Sequence, residues 1–328
     1  MIEKTLPIVL ITHTLPKEWI TPLEERCKIF FGPTDATELD PTLIDLLPQA
    51  EGLFTLLTIP VTEMVLRKSP KLLVVSNMAV GVDNIDVKAC TLRKIPVGNT
   101  PGVLTESTAD LTMALLLSIA RNISSASMDA REGRWKTWAP SGWMGMELKG
   151  STLGIIGMGK IGKAVTRRAI GFGMKILFSD PETRNEINAI QIPLDELLKN
   201  SDIISLHTPL TEDTRGMINQ STLSMMKPSA ILINSARGPL IDTPALVEAL
   251  VKHKIAAAAL DVTDPEPLPP AHPLYGLPNC LIVPHIGSAT QYTRRKMAEL
   301  ACNNLLAGLD GKRLPYCVNP EVYSLFDK

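Results

Sequence analysis

Short apolar runs alternate with amphipathic segments along most of the chain. In the first hundred residues this pattern predicts strands at 8–12, 52–57 and 72–77, with helices near 16–27, 41–46 and 63–69. A later series predicts strands at 153–157, 175–179, 202–207, 230–234, 256–261 and 280–284. Strands that alternate with helices are typical of a parallel, doubly wound sheet. The pattern therefore predicts an α/β fold with two such sheets.

A turn-like segment, Asn99-Thr100-Pro101-Gly102, separates the two series. A long helix is predicted after it at 105–122, followed by a tryptophan-bearing stretch at 133–150. Because 328 residues exceed what one ordinary core holds, two domains are expected.

The last predicted helix, 291–309, follows the final strand, and we expect it to return to the first domain. The predicted division places 1–100 and 288–328 in a discontinuous domain and 101–287 in a second domain. The chain would cross between them near Thr100 and Ile286, and these crossings would act as hinges for cleft closure.

Composition excludes several classes of function. With 33 basic and 34 acidic residues the net charge is −1 and no long run of either sign occurs, so neither nucleic acid nor a charged membrane surface is an expected partner. The apolar run at 111–120 is too short to span a bilayer, and the N-terminal run predicts a first strand rather than a signal peptide. Scattered cysteines without CxxC spacing predict reduced thiols of a cytoplasmic protein and no metal site: Cys27, Cys90, Cys280, Cys302 and Cys317.

The string LGIIGMGKIGKAV at 153–165 carries the most specific chemical signal. Gly157 permits a tight turn after the strand, Gly159 lets backbone N–H groups approach a pyrophosphate, and Gly162 lets the next helix pack closely. The anion then lies at the positive end of that helix. The string predicts a dinucleotide-binding turn, and the first hundred residues contain no comparable glycine-rich loop.

Asp180 ends the strand predicted at 175–179, where a dinucleotide site needs an acid. Its carboxylate can accept the adenosine ribose hydroxyls, and it would repel a 2′-phosphate by roughly 1–4 kcal/mol at about 4 Å. NAD(H) is therefore favoured, with NADP(H) as the alternative because Arg184 offers partial compensation. The competing interpretation is that Asp180 caps a helix or a turn before Pro181.

Three polar segments follow later strands: Asn234-Ser235-Ala236-Arg237-Gly238, then 261–267 (DVTDPEP), then Pro284-His285-Ile286-Gly287-Ser288. Because ligands bind at the carboxyl ends of parallel strands, the three segments should meet at one crevice. Each also has a plainer interpretation. Arg237 would then pair with Asp261 or Asp264, Glu266 would lie on the surface, and His285 would be hydrogen-bonded in the core.

The order of these strings resembles the D-isomer-specific 2-hydroxyacid dehydrogenases, over about residues 50–310. The strings are GMGKIG, NSARG, DVTDPEP and VPHIGS, preceded by NMAVGVDNID and NTPGVLTESTADLTMALLL. Among the branches of the family, NTPGVLTESTADL, REGRWKTWAP and LDVTDPEPLPPAHPLYGLPNCLIVPHIGSAT are most similar to glyoxylate/hydroxypyruvate reductases. The resemblance implies a Rossmann cofactor domain and a flavodoxin-like substrate domain, with the active-site cleft between them.

The resemblance implies a catalytic set of Arg237, Glu266 and His285. Arg237 would bind the substrate carboxylate and its carbonyl oxygen through parallel donors. His285 would donate the proton during reduction, and Glu266 would fix its tautomer and favour the imidazolium. Backbone N–H groups of Ala79, Val80 and Gly81 would form a second carboxylate clamp.

The remaining implied contacts are with the cofactor and with a partner subunit. The predicted cofactor-binding residues are Thr108, Gly157, Met158, Gly159, Lys160, Ile161, Gly162, Asp180, His207, Thr208, Pro209, Thr214, Ser235, Ala236, Arg237, Asp261, His285 and Gly287. Three of the four tryptophans, Trp135, Trp138 and Trp143, cluster in one loop, which predicts either a homodimer contact surface or core anchors. In the first case Trp138 would reach the partner's substrate site.

The sequence thus predicts NAD(P)H-dependent reduction of glyoxylate or hydroxypyruvate to glycolate or D-glycerate. A related enzyme acting on D-lactate, D-glycerate or a broad set of 2-keto acids is the enzymatic alternative. An NADH-sensing binding protein is the alternative from another class, because relatives with that role keep the same motifs.

Overall fold

The computed structural model describes residues 6–184, 186 and 188–325. The chain divides into two compact units, the first formed by Met1–Leu104 with Thr290–Lys328 and the second by Thr105–Ala289. That the first unit binds the substrate and the second the cofactor stays a prediction.

Strands and helices alternate through the described residues. The strands are β1 (Ile8–Ile11), β2 (Lys28–Phe31), β3 (Gly52–Thr55), β4 (Val74–Asn77), β5 (Val97–Gly98), β6 (Thr152–Ile156), β7 (Lys175–Ser179), β8 (Ile190–Gln191), β9 (Ile203–Leu206), β10 (Ile231–Asn234), β11 (Ala257–Leu260) and β12 (Cys280–Ile282). The helices are α1 (Lys17–Glu24), α2 (Pro41–Leu46), α3 (Glu63–Lys68), α4 (Val87–Leu92), α5 (Thr105–Ala120), α6 (Ile123–Arg131), α7 (Lys160–Gly171), α8 (Leu194–Asn200), α9 (Gln220–Met225), α10 (Thr243–Val251) and α11 (Gln291–Leu309). Short 3₁₀ helices cover Leu47–Gln49, Gly238–Leu240, Pro273–Gly276 and Pro320–Leu325.

The first unit is built on a parallel sheet with strand order β2-β1-β3-β4-β5, the flavodoxin-like order. Thr290 precedes helix α11, and its side chain caps the helix by accepting the N–H of Thr293. It buries Met297, Ala301 and Leu305 in the core that β1 and β4 share. The last long helix therefore packs on the sheet formed by the first hundred residues.

The second unit is built on a seven-stranded parallel sheet with order β12-β11-β10-β9-β6-β7-β8. Strands β7 and β8 extend the sheet to one side of β6, and β9 to β12 extend it to the other. This order is the Rossmann order, and its topological switch point lies between β6 and β9, where such sheets bind dinucleotides.

Separate hydrophobic cores cover the two faces of the seven-stranded sheet. One contains Leu153 and Phe178 with residues of α5 and α7, and the other contains Ile204 and Leu232 with residues of α8 to α10. Strands β9, β10 and β11 are buried along their whole length, as parallel strands covered on both faces should be. The predicted fold class, two doubly wound parallel sheets, is confirmed.

Several elements were not predicted from the sequence. Strands β2, β5 and β8 are short, and β2 lies at a sheet edge where its residues are half-buried or exposed. Helix α4 has a single buried side chain, and α6 has none. A helix without a buried face lacks the apolar periodicity by which sequence analysis detects helices.

Within the described residues, no helix is both long and apolar enough to cross a membrane.

Candidate active site

The glycine-rich turn leads from β6 directly into α7. Gly157 has φ +94°, and a Cβ there would lie 2.7 Å from the carbonyl oxygen of His207. A Cβ on Gly162 would lie 2.2 Å from the carbonyl oxygen of Gly157, so the helix start packs against the turn. A Cβ on Gly159 meets no protein atom within 4 Å, although Gly159 caps α7. The turn is thus closed on its protein side and open where a pyrophosphate would lie.

Asp180 lies immediately after β7, with its side chain 6% exposed. One carboxylate oxygen accepts the N–H of Met158 at 2.8 Å, and the other accepts the N–H of Glu182 at 3.0 Å and faces Arg184 Nε at 3.1 Å. Burial raises the pKa of Asp180, but these N–H groups and Arg184 outweigh it and leave the pKa below its ordinary value. Asp180 therefore carries a negative charge beside the glycine-rich turn, and it also forms the turn that the competing interpretation predicted.

The loops after β10 and β11 are in direct contact. A Cβ on Gly238 would lie 1.8 Å from the carbonyl oxygen of Thr263, so only glycine fits there. Asn234, fully buried at the end of β10, accepts the N–H of Ala236 at 3.0 Å and donates to the carbonyl of Arg237 at 2.8 Å. Both side-chain bonds of Asn234 thus fix the backbone that carries Arg237. The Arg237 side chain is half-buried, and its Nη1 donates to the Ala236 carbonyl at 2.7 Å.

Asp261, buried at the end of β11, connects its strand to the loop that carries His285. Its carboxylate accepts the N–H of Ile286 at 2.6 Å and that of Gly287 at 2.9 Å. Its backbone carbonyl accepts the N–H of His285 at 2.9 Å. Burial raises the pKa of Asp261, opposed by the two N–H donors and by nearby His285. These bonds hold His285 at φ +50°, a conformation uncommon for residues other than glycine.

His285 and Glu266 form a close pair. The Nδ1 atom of His285 lies 2.6 Å from Oε1 of Glu266, and the other carboxylate oxygen accepts the N–H of Thr263 at 3.3 Å. An ionised carboxylate only accepts hydrogen bonds, so Nδ1 of His285 is the protonated nitrogen. This leaves Nε2 of His285 to exchange a proton with a ligand.

Four of the predicted cofactor-binding residues also lie together. The Ser235 hydroxyl lies 2.8 Å from that of Thr112, which in turn donates to the carbonyl of Thr108 at 2.8 Å. A Cβ on Gly287 would lie 3.4 Å from the Thr108 side chain. Ala236 follows Ser235 in the loop after β10. These residues line the carboxyl edge of the sheet beside Asp261.

The segment after β9 lies against the glycine-rich turn. His207 donates its N–H to the carbonyl of Ile156 at 2.7 Å, and its Nε2 lies 2.9 Å from the Ser205 hydroxyl. Burial lowers the pKa of His207 to about 4, so its imidazole is neutral near pH 7. Thr208 follows at the contact with Gly157, and Thr214 donates to the carbonyl of Pro209 at 2.8 Å.

In the first unit, the loop Ala79–Gly81 follows the buried strand β4. Ala79 is buried, whereas the Val80 side chain is 37% exposed. The structure therefore places this loop at the carboxyl edge of the five-stranded sheet, the edge at which doubly wound folds bind ligands.

The tryptophan segment lies on the surface of the second unit. Trp138 is 79% exposed and Trp135 63% exposed, so the interpretation of these two residues as core anchors is wrong. Trp143 donates its indole N–H to Asp129 of α6 at 2.8 Å, which fastens the segment to that helix. The exposed side chains of Met128, Trp135, Trp138 and Trp143 are here named the α6 surface.

Known proteins resemble this chain over nearly its whole length. A family model described as "D-isomer specific 2-hydroxyacid dehydrogenase, NAD binding domain" matches residues 113–287. The chain belongs to this family. A glyoxylate reductase of Korarchaeum cryptofilum is 44% identical to this dehydrogenase, covering 96% of this chain and 97% of that protein. A crystal structure of a protein from Thermus thermophilus superposes with a TM-score of 0.90 and 46% identity, covering 95% and 99% of the two chains.

A further solved structure is an NADPH-dependent glyoxylate/hydroxypyruvate reductase of Sinorhizobium meliloti in complex with NADP and malonate. It has a TM-score of 0.85 and 31% identity to this dehydrogenase, covering 96% and 97% of the two chains. Family membership makes a nicotinamide dinucleotide the cofactor of this dehydrogenase and a small hydroxy or keto acid its substrate. The open space at Gly159, the charged Asp180 and the Rossmann strand order fit that cofactor. Among the described residues, no group of His, Cys, Asp or Glu side chains is arranged to hold a metal ion.

Two features of this dehydrogenase escaped the sequence analysis. Asn234 was not singled out, although an asparagine ending the apolar run ILIN is a signal for a buried polar group with a specific partner. The left-handed backbone of His285 has no local sequence signal, because it depends on bonds to Asp261, which lies 24 residues earlier.

Proposed function

We propose that this dehydrogenase reduces glyoxylate and hydroxypyruvate to glycolate and D-glycerate with NADH. The observation that carries the proposal is the 2.6 Å pair of His285 and Glu266, held in the same unit as the dinucleotide-binding turn. The names of the relatives support the choice of substrates, since glyoxylate reductases match at 42–46% identity.

Arg237 is the proposed anchor of the substrate carboxylate. Its planar guanidinium presents parallel donors that suit a carboxylate and the adjacent carbonyl oxygen together. The bonds that Asn234 makes to the backbone of Ala236 and Arg237 support this role, because they fix the position from which the side chain extends. Polarisation of the carbonyl by a fixed cation stabilises the negative charge that develops on oxygen.

His285 is the proposed proton donor. A dihydronicotinamide held at the glycine-rich turn would supply the hydride for the carbonyl carbon. The carbonyl oxygen would take the proton from Nε2 of His285. The N–H group at Nδ1 of His285 keeps its hydrogen bond to Glu266. In the reverse direction Nε2 accepts the hydroxyl proton of the hydroxy acid. Glu266 thus keeps the imidazole oriented and offsets its positive charge.

The backbone N–H groups of Ala79, Val80 and Gly81 are the proposed second clamp on the carboxylate. Successive backbone N–H groups in a loop form an anion-binding concavity without any charged side chain. Val80, with its apolar side chain, suits a small substrate. A dehydrogenase acting on D-lactate, D-glycerate or other 2-keto acids is the enzymatic alternative.

NADH is the proposed physiological reductant in preference to NADPH. Asp180 supports this choice, since its carboxylate is charged and 6% exposed, and a 2′-phosphate placed beside it would be repelled. Arg184 already pairs with Asp180 and Glu182, so its charge is partly neutralised before any phosphate arrives.

A homodimer is the proposed assembly, and the cytoplasm the proposed location. The α6 surface supports the dimer, since exposed tryptophan and methionine side chains are enriched at protein interfaces. The scattered, unpaired cysteines fit a reducing compartment. Sedimentation of the purified protein tests the dimer, and a monomer at micromolar concentration would contradict it.

Steady-state kinetics test the proposed function. Glyoxylate, hydroxypyruvate and pyruvate are each compared with NADH and with NADPH, and efficient turnover of the first two with NADH is expected. Arg237→Ala should lower kcat/KM by about 10²–10³-fold and leave NADH affinity nearly intact. Arg167→Ala, which removes an exposed arginine paired with Glu106, is the matched control. Tight NADH binding without turnover of any keto acid would favour a sensing role instead.

A further inference from the structure

Three consecutive carbonyl groups in the loop Ala79–Gly81 are each held by a donor from the first unit. The three bonds are Thr100 N–H to the Ala79 carbonyl at 2.8 Å, Asn99 Nδ2 to the Val80 carbonyl at 2.9 Å, and Asn77 Nδ2 to the Gly81 carbonyl at 2.9 Å. Loop carbonyls on a protein surface are ordinarily hydrated, so three fixed in succession indicate a loop with one defined conformation.

The held carbonyls fix the direction of the N–H groups that follow them. In a trans peptide, the N–H of one residue points opposite to the carbonyl of the residue before it. The bond from Thr100 therefore aims the N–H of Val80, and the bond from Asn99 aims the N–H of Gly81. Within the described part of the chain, neither of these two N–H groups donates a hydrogen bond to a protein acceptor.

The buried position of the Asn77 side chain is energetically unfavourable. Its side chain is fully buried, and its Oδ1 has no hydrogen-bond partner among the described residues. A buried, unpaired acceptor is unfavourable, so the amide needs another reason to occupy this position. Its Nδ2 provides one, because it donates to the Gly81 carbonyl and lies 3.2 Å from Oδ1 of Asn84. Asn84 in turn donates to the carbonyls of Leu56 and Ile59, which ties the loop to the turn after β3.

We propose that Asn99 is a positioning residue, which together with the backbone N–H of Thr100 aims the N–H groups of Val80 and Gly81 at the substrate carboxylate. Asn77 fixes the end of the same loop by binding the Gly81 carbonyl. The inference rests on the proposed function, in which this loop is the second clamp. It adds that the preference for a carboxylate-bearing carbonyl compound over an uncharged one depends on an amide side chain that binds the backbone of the loop.

Asn99→Ala is the decisive variant, because Asn99 is half-buried and its loss leaves the strands intact. The KM for glyoxylate should rise about tenfold, the loss expected when a clamp donor is no longer aimed. The kcat should change less than about threefold, since Arg237 and His285 are untouched. Turnover of hydroxyacetone, which has a carbonyl but no carboxylate, should not fall. Asn99→Asp, of the same size but without the donor and with a negative charge, should raise this KM at least as much as Asn99→Ala.

Asn279→Ala is the matched control. Asn279 is also half-buried and donates to backbone carbonyls, those of Leu250 and Ala256, but it lies in the second unit. Its loss should lower the thermal unfolding midpoint to a similar degree without raising the KM for glyoxylate.

Oxamate is a carboxylate that cannot be reduced. Its binding to the NADH-loaded protein, measured by calorimetry, tests the positioning role separately from the proposed reductase function. An affinity about tenfold weaker in Asn99→Ala than in Asn279→Ala would support the positioning role, whether or not turnover is observed. Equal oxamate affinities in the two variants would overturn it, while wild-type reduction of glyoxylate would leave the proposed function standing. If the wild-type protein binds oxamate but reduces no keto acid, the proposed function fails and the positioning role is still decided by the affinities.

Discussion

Replacing Asp180 should change which nicotinamide cofactor the enzyme prefers. An ionised carboxylate offers about four acceptor positions, and the N–H groups of Met158 and Glu182 occupy two of them, while the Arg184 guanidinium faces the Glu182-bound oxygen at 3.1 Å. One position, on the oxygen that accepts the Met158 N–H, is left for an adenosine ribose hydroxyl. A hydrogen bond to a charged group contributes roughly 1.5–3 kcal/mol. Asp180→Ala should therefore weaken NADH binding by about 10- to 100-fold.

Use of NADPH should improve when Asp180 is replaced, in contrast to NADH binding. A 2′-phosphate about 4 Å from the carboxylate is repelled by roughly 1–4 kcal/mol at the effective dielectric constants of a protein surface. Asp180→Asn removes this charge but keeps an oxygen that can accept the N–H of Glu182, so the turn is retained. It also releases Arg184 from one of its two acidic partners. The ratio of kcat/KM for NADPH to that for NADH should rise by at least about tenfold in Asp180→Asn.

The assay is cofactor titration by fluorescence together with steady-state rates at constant ionic strength, because repulsion is screened by salt. Asp202→Asn is the matched control. Asp202 also has a lowered pKa and binds a backbone N–H and a lysine, but it lies at the amino end of β9. An unchanged NADPH to NADH ratio in Asp180→Asn, or an equal change in Asp202→Asn, would refute the assignment of Asp180 to cofactor selection.

Three further predictions follow from the second unit. Gly159→Ala should leave the unfolding midpoint unchanged yet weaken NADH binding at least about tenfold. Gly162→Ala should destabilise the fold by roughly 1–3 kcal/mol or more, because its Cβ would meet the backbone of Gly157. Burial holds the pKa of His207 at about 4, so its contribution to stability is complete above pH 6.5 and is lost as the pH falls towards 4. In urea unfolding, the stability advantage of wild type over His207→Gln should therefore shrink by about 3 kcal/mol between pH 7 and pH 4, and no change would contradict the buried, neutral state. Trp138→Asp should convert the proposed dimer to a monomer in sedimentation experiments while NADH affinity is kept, and a variant that sediments as a dimer would exclude the α6 surface as the interface.

The sequence was sufficient for the features that depend on local pattern. The strand, glycine-rich turn and helix at 152–171 are evident from apolar runs and glycine spacing, and the parallel sheets follow from the alternation. Helix α6 could not be predicted in this way, because it buries no side chain and its sequence ISSASMDAR has no apolar face. The exposure of Trp135 and Trp138 was equally out of reach, since an aromatic cluster in a loop is compatible with a core or with an interface.

The relation between Arg237 and His285 is the part of the site that only the fold reveals. Both residues lie on loops, but their geometry is set by two buried side chains at strand ends, Asn234 and Asp261. The N–H of Asp261 donates to the carbonyl of Asn234 at 2.8 Å, so the residue that fixes the Arg237 loop is bonded to the residue that fixes the His285 loop.

A left-handed backbone at a residue other than glycine costs of order 1–3 kcal/mol and persists only where its surroundings impose it. For His285 the surroundings are the carbonyl of Asp261, which accepts its own N–H, and the carboxylate of Asp261, which accepts the next two N–H groups along the chain. Strands β10, β11 and β12 are adjacent in the sheet. The strained backbone of His285 is therefore maintained by the hydrogen bonds between these strands and the bonds to Asp261, and not by the loop alone. The proposed proton donor and carboxylate anchor thus share one rigid support, which is what hydride transfer to a small, precisely placed carbonyl requires.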